Sequence, residues 1–298
     1  MTRLVRTRDE LAAARAELAG KSGSATIGLV PTMGALHAGH LALLDSARAR
    51  CDAVVASIFV NPMQFQQAAD LERYPRPLEA DLALCEQHGV DLVWAPEVAT
   101  VYPDGPARVW VTAGDLANQL EGPNRPGHFD GVLTVVTKLF HIVRPQVALF
   151  GQKDAQQLTM VQRMVIDLNM DVEVLGVPTV READGLALSS RNVFLTAAER
   201  ALATSLSAAL EKAASQDSVA AARVAANEVL DRVQFEPAFE LDYATMVNPA
   251  TFAEVPDDYT GKVLMLLAAK VGSTRLIDNA VLEFTGGQRQ QERVEPAA

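Results

Sequence analysis

Two apolar runs constrain this chain more than anything else in it. Ala25-Thr26-Ile27-Gly28-Leu29-Val30 and Ala53-Val54-Val55-Ala56-Ser57-Ile58-Phe59-Val60 read as strands buried on both faces, stopped at Pro31 and at Asn61-Pro62. Residues 40–50 between them have helical spacing. Strand, helix and strand in this order make a βαβ unit, whose crossover requires parallel strands. The alternation continues, with helices expected over Arg8–Ala19, Leu78–His88, Gly131–Val143 and Asp154–Leu168 and strands over Val90–Trp94, Val147–Phe150 and Val172–Val177. The expected fold is α/β: a Rossmann-like doubly wound parallel sheet with a second, smaller α+β domain.

The second domain is signalled by a change of pattern after Asn192. Thr196-Ala197-Ala198-Glu199 is a capping box that opens an Ala-rich helical region, broken near Gln216-Asp217. Strand-like runs come next at Glu240–Val247, Lys262–Val271 and Leu276–Phe284. The expected organisation is residues 1–185 as the Rossmann-like nucleotide- and substrate-binding domain, 186–285 as a small α+β lid, and 286–298 as a flexible tail.

Bulk properties narrow the function. A net charge of −11 over 298 residues argues against nucleic-acid or anionic-membrane binding, though a few local cations still suffice for an anionic small substrate. No apolar stretch reaches the roughly 18–20 residues of a membrane span. Arg3, Arg6 and Arg8 have no apolar run behind them, so no secretory signal is read. Cys51 and Cys85 form no Cys-x-x-Cys pair and suggest two reduced, buried thiols. A cytoplasmic location is expected.

In a doubly wound sheet, ligands bind at the carboxyl ends of strands, so the turns after Val30, Val60 and Phe150 are the places to look. The first carries Met33-Gly34-Ala35-Leu36-His37-Ala38-Gly39-His40. A strand-to-helix turn offers free N–H groups and a positive dipole end to an anion, and two imidazoles three residues apart can stabilise charge growing on phosphate. A zinc pair is disfavoured because nothing completes the ligand set. After the second strand, Asn61 and Gln64 offer neutral amides; a plain polar turn explains them as well. Glu121–Phe129, with two prolines and two glycines, reads as a shaped loop carrying Arg125 and His128. The turn Gly151-Gln152-Lys153-Asp154 supplies a cation for a polyphosphate, and Asp154 suits either a ligand or the N-cap of the next helix. Leu188-Ser189-Ser190-Arg191 joins two hydroxyls to a planar cation suited to phosphate, or serves as a polar linker. Neither Gly-x-x-x-x-Gly-Lys-Ser/Thr nor Gly-x-Gly-x-x-Gly is present.

His37-Ala38-Gly39-His40 resembles the signature of the His-x-Gly-His nucleotidyltransferase superfamily, and Ser189-Ser190-Arg191 resembles its mobile phosphate-binding motif. Together with Val30–His37, Ile58–Phe65, Arg125–Phe129 and Asp184–Asn192, in that order, the chain resembles the pantothenate synthetases. The resemblance implies ATP-dependent condensation of (R)-pantoate with β-alanine through a pantoyl adenylate, releasing AMP and pyrophosphate. It implies an ATP site of Met33 to His40, Gly151 to Asp154, Val180 and Leu188 to Arg191. His40, His37, Lys153 and Arg191 would carry the chemistry. Gln64 and Gln157 would hold pantoate, with Asn61, Arg125 and His128 also at the substrate. Mg²⁺ with ATP, a homodimer and closure of the Ser189–Arg191 loop over the intermediate are further expectations. Gln152 and Ala155 depart from the Glu and aromatic residue common in that family. The competing expectation is another His-x-Gly-His enzyme that adenylylates a phosphate-bearing substrate.

Overall fold

The computed structural model describes residues 1–20 and 25–285. The chain divides into two compact units, Met1–Val180 and a second beginning at Arg181. The boundary lies earlier than the expected division after residue 185. Arg181 bonds bidentately to Asp278 at 2.7 and 3.0 Å and pairs with Ala187 in an isolated bridge, so residues 181–185 fold with the second unit. The segment expected to be a flexible tail, 286–298, lies outside the described residues.

The first unit runs β1 (Arg3–Val5), α1 (Arg8–Gly20), β2 (Ile27–Thr32), α2 (Ala38–Arg50), β3 (Ala53–Ile58), α3 (Ala68–Arg73), α4 (Leu78–Gln87), β4 (Leu92–Trp94), α5 (Val98–Val101), α6 (His128–Val143), β5 (Val147–Gly151), α7 (Ala155–Asp167) and β6 (Glu173–Val177). The strands form one parallel sheet in the order β1-β4-β3-β2-β5-β6. Both faces are covered. Ile27, Leu29, Val55 and Phe150 pack with α1, α6 and α7, while Val30, Val54, Ala56 and Leu149 pack with α2 and α4. That is the period-2 alternation of strands apolar on both sides. β1 and the short α3 and α5 escape the sequence reading; β1 is too short, and too cationic at Arg3, to show a pattern. α6 begins at His128, so the end of the loop expected over 121–129 is the first turn of a helix.

This order fixes the site. From β2 the chain moves through β3 to β4 on one side, then returns to β5, which pairs with β2 through Gly28↔Val147 and Leu29↔Ala148. The crevice outside the carboxyl ends of β2 and β5 is therefore a topological switch point, where open α/β sheets bind ligands.

Among its described residues the second unit carries the helices α8 (Ala197–Ala214) and α9 (Val219–Leu230) and an antiparallel sheet in the order β7 (Phe239–Val247), β8 (Gly261–Val271), β9 (Thr274–Phe284). Thr196 and Glu199 form the expected capping box. Leu206, Leu210 and Leu230 from the helices meet Val263, Met265 and Leu267 from β8 in one core.

Candidate active site

The His-x-Gly-His segment serves as a helix cap. His37 is the N-cap of α2. Its Nδ1 accepts the Gly39 N–H at 3.1 Å, and His40 Nδ1 accepts the His37 N–H at 3.3 Å. The two imidazoles thus play the parts of Ser and Glu in a capping box. With both Nδ1 atoms accepting, each neutral ring carries its proton on Nε2. The rings lie 4.1 Å apart, centroid to centroid.

Many N–H groups of this turn are engaged internally: Gly34 on Thr32 Oγ1, Ala35 and Leu36 on Asp81, His37 and Gly39 on imidazole nitrogens, and His40 and Leu41 on the His37 carbonyl. The Ala38 N–H makes no hydrogen bond among the described residues, so this helix start offers that amide together with the imidazole Nε2–H groups.

Burial pushes the His40 imidazole down to about 4, helped by the charge of His37 and opposed by Asp154. His37 is lowered first by burial and then by Lys153. The Gln152–Asp154 turn after β5 therefore brings Lys153 and Asp154 into the electrostatic reach of the histidine pair. Asp154 occupies the N-cap position of α7 but makes no capping hydrogen bond, so its exposed carboxylate is not needed by the helix. Gln152 packs against Gly176 of β6.

These shifts give a pH prediction. An unfolded chain protonates His40 near 6.5, whereas the folded chain resists until about 4. The resulting stabilisation is complete above pH 6.5 and is lost as pH falls through the interval from 6.5 to 4. It amounts to at most about 3 kcal/mol, of which roughly 2 kcal/mol is gone by about pH 5. Urea unfolding at about pH 7 and pH 5 should show His40→Asn losing less stability than the parent; equal losses would contradict the assignment.

After β3, Asn61 is 1% exposed and fully engaged. Its Nδ2 donates to Gln64 Oε1 and to the Gly131 carbonyl, both at 3.0 Å, while its Oδ1 accepts from the Met63 N–H and from Tyr102 Oη at 2.9 Å. It positions Gln64 and has no group left over for a ligand. Gln64 Nε2 reaches Met33 Sδ at 3.1 Å, tying the β3 turn to the β2 turn. His128 Nδ1 holds the Gln64 carbonyl at 3.0 Å, so it too supports the glutamine from the start of α6.

In α7 the two adjacent glutamines separate cleanly. Gln156 is buried, and its amide ties the loop through Leu116, Gln119 and Glu121. Gln157 is half-buried, and its side-chain amide makes no hydrogen bond among the described residues. Arg125 lies 3.9 Å from Glu121 and lines a cleft of about 530 Å³ with Thr112, Asp115, Asn118, Phe129 and Asp130.

In the second unit, Ser189 Oγ accepts the Arg191 N–H, and Arg191 Nη1 reaches the Arg275 carbonyl at 3.4 Å. Asn192 anchors the segment on Glu182 and the Ala187 carbonyl. Ser190 is exposed, Leu188 half-buried, and Val180 is the last residue of the first unit.

Sequence reasoning misses Asp81, Tyr102 and Gly131. Asp81 has a signal: it falls on the apolar stripe Leu78, Leu82, Cys85 of α4, where a carboxylate needs a buried partner. Tyr102 and Gly131 have none.

The match to known proteins covers nearly the whole chain. The family model for pantoate-beta-alanine ligase matches residues 3–281. A pantothenate synthetase of Salinispora arenicola is 52% identical over 291 residues, 95% of this chain and 99% of that protein. One of Acidothermus cellulolyticus is 53% identical over 282 residues, 93% of this chain and 90% of its own length. Among solved structures, pantothenate synthetase of Thermus thermophilus superposes with a TM-score of 0.81 at 48% identity, covering 94% of this chain and 99% of that one. The pantoate-beta-alanine ligase of Francisella tularensis, solved with beta-gamma ATP and beta-alanine, gives 0.73 at 32% identity over 94% and 98% of the two chains.

Proposed function

The chain belongs to the pantoate-beta-alanine ligase family, and from that membership we infer that it joins pantoate to β-alanine at the expense of ATP. The observation that carries the mechanism is the pair of Nε2–H imidazoles at the β2/β5 switch point, under the field of Lys153. A carboxylate resists attack by an amine until it has a better leaving group. On this reading pantoate's carboxylate oxygen attacks the α-phosphorus of ATP, the bond to the β-phosphate bridging oxygen breaks, and pyrophosphate leaves. β-Alanine's neutral amine then attacks the acyl carbon, expels AMP and gives up a proton.

Donors preset for the charge of the phosphorus-centred transition state accelerate the first step only insofar as they bind that state more tightly than bound ATP. His40 is the principal donor in our reading. His37 and Lys153 add to it, and Ser189, Ser190 and Arg191 meet the phosphates. Met33 to Gly39, Gly151, Gln152, Val180 and Leu188 line the nucleotide. Gln64 and Gln157 hold pantoate.

Mg²⁺ fits as a partner of ATP. Among the described residues no three His, Cys, Asp or Glu side chains are gathered for an ion. Asp154, whose carboxylate makes no capping bond, is the residue we assign to a water of the metal. We place the enzyme in the cytoplasm as a homodimer. Among the described residues no helix is long and apolar enough to cross a membrane. The alternative, adenylylation of a phosphate-bearing substrate, is not favoured by the family match.

The test measures AMP and pyrophosphate with pantoate and β-alanine omitted in turn. Pantoate-dependent ATP–pyrophosphate exchange without β-alanine, and AMP only with both, is the expected pattern. Pyrophosphate release indifferent to pantoate would refute the reading. Gln64→Ala should raise the pantoate KM roughly tenfold, the worth of one lost hydrogen bond, with the ATP KM little changed. Movement of the ATP KM alone would reassign Gln64.

A further inference from the structure

Between β2 and α2 the backbone takes two left-handed steps in succession, at Gly34 (φ 83°) and Ala35 (φ 51°). The second is disfavoured for a residue with a side chain and persists only where its surroundings enforce it. Asp81 is the enforcing group. It lies in the first turn of α4 and is 1% exposed. Its Oδ2 accepts the Ala35 N–H at 2.9 Å and its Oδ1 accepts the Leu36 N–H at 2.8 Å. Among the described residues its carboxylate oxygens make no other hydrogen bond and no ion pair. A carboxylate taken out of water for two amides of one turn makes that turn rigid, since moving either amide strands a buried charge. The fit is tight from the other side as well: a Cβ on Gly34 would stand 2.9 Å from Asp81 Oδ2 and 3.0 Å from Ile58 Cγ2.

We propose that Asp81 is a positioning residue for the nucleotide step: by clamping residues 34–36 it sets where α2 begins, and so where the His37 and His40 Nε2–H groups point. The caps that fix the two rings start at the His37 N–H, one residue beyond the clamp. A shift of the turn therefore carries both imidazoles with it. The proposal deepens the ligase reading above and rests on it for the kinetic part of its test.

The experiment compares the full-length parent with Asp81→Asn, Asp81→Ala and Gly34→Ala. Asp81→Asn preserves shape but turns an NH₂ toward one of the two N–H groups. Pantoate-dependent ATP–pyrophosphate exchange should fall by roughly 10–100-fold, the scale of a donor misplaced by about 1 Å. The β-alanine KM should stay within about twofold, since the second step does not use the clamp. Asp81→Ala should fall further and recover in part with sodium formate, which a purely packing role would not predict. Gly34→Ala disturbs the same contact and should affect the same step. Exchange within about twofold of the parent in Asp81→Asn would overturn the proposal. The imidazole ¹⁵N signals of the ligand-free protein give a readout independent of activity and of which variants fold well. The parent should show both rings as Nε2–H tautomers, and any folded variant at the clamp should show them mixed; unchanged signals would also overturn it. A parent that lacks exchange altogether would instead count against the ligase reading, leaving the ring signals to decide the clamp.

Discussion

His40→Ala is expected to slow pantoate-dependent formation of pyrophosphate by roughly 10²–10³-fold or more, the range seen when one preorganised donor is removed from an oxyanion site. The magnitude follows from how the ring is held. It is half-buried, neutral and fixed as the Nε2–H tautomer by the His37 N–H, so its donor is aimed before substrate arrives and needs no reorganisation. The same geometry warns against reading the alanine variant alone. Losing Nδ1 also removes one of the two bonds of the capping box at α2, which costs about 1 kcal/mol of stability. Asn at position 40 can accept from the His37 N–H but cannot place a donor where Nε2 stood. Single-turnover quench-flow should therefore find Asn as slow as Ala, with stability closer to the parent. A near-normal burst in either variant would remove His40 from the chemistry.

Gly131→Ala is expected to destabilise the first unit by about 3 kcal/mol. Its Cβ would lie 2.4 Å from the Met63 carbonyl oxygen, 2.7 Å from the Met63 carbonyl carbon and 2.9 Å from the Gln64 nitrogen. All three are backbone atoms, so no rotamer change relieves the overlap; either α6 or the turn after β3 must move. Asn61 binds the Gly131 carbonyl and holds the Gln64 amide, so the movement passes directly to Gln64, the glutamine we propose for pantoate. Urea unfolding should show the loss, and the surviving folded enzyme should have a raised pantoate KM. Stability within about 0.5 kcal/mol of the parent would mean that the two backbones separate easily.

The two predictions differ in how far the sequence foretells them. The histidines announce themselves, because two imidazoles at a strand-to-helix turn combine rarity with position. The βαβ alternation is legible for the same reason: buried strands such as the one through Val54 and Val55 tolerate little besides apolar side chains. What the sequence hides are long-range pairings. Nothing in a glycine inside an apolar helical run says that another segment's carbonyl passes at contact distance, and nothing in Asn61 separates a ligand-binding amide from one saturated by Gly131, Tyr102 and Gln64. Free amides are the default at a helix start, and only the folded geometry shows that the imidazoles claim those of His37 and Gly39. Arg125, legible as a cation, sits beside Glu121, a pairing its loop sequence does not announce.

The pairing of β2 with β5 also has a temporal side. Gly28 and Leu29 find their neighbours Val147 and Ala148 only after roughly 120 further residues have been made. At ordinary elongation speeds of about 5–20 residues per second, one edge of the central strand waits on the order of ten seconds for its mate. During that interval the ribosome carries an apolar ribbon with unanswered amides, the species most prone to join a neighbouring chain. The arrangement that brings lysine and histidines to one crevice thus leaves the newborn polypeptide with an unpaired apolar strand edge until β5 is made.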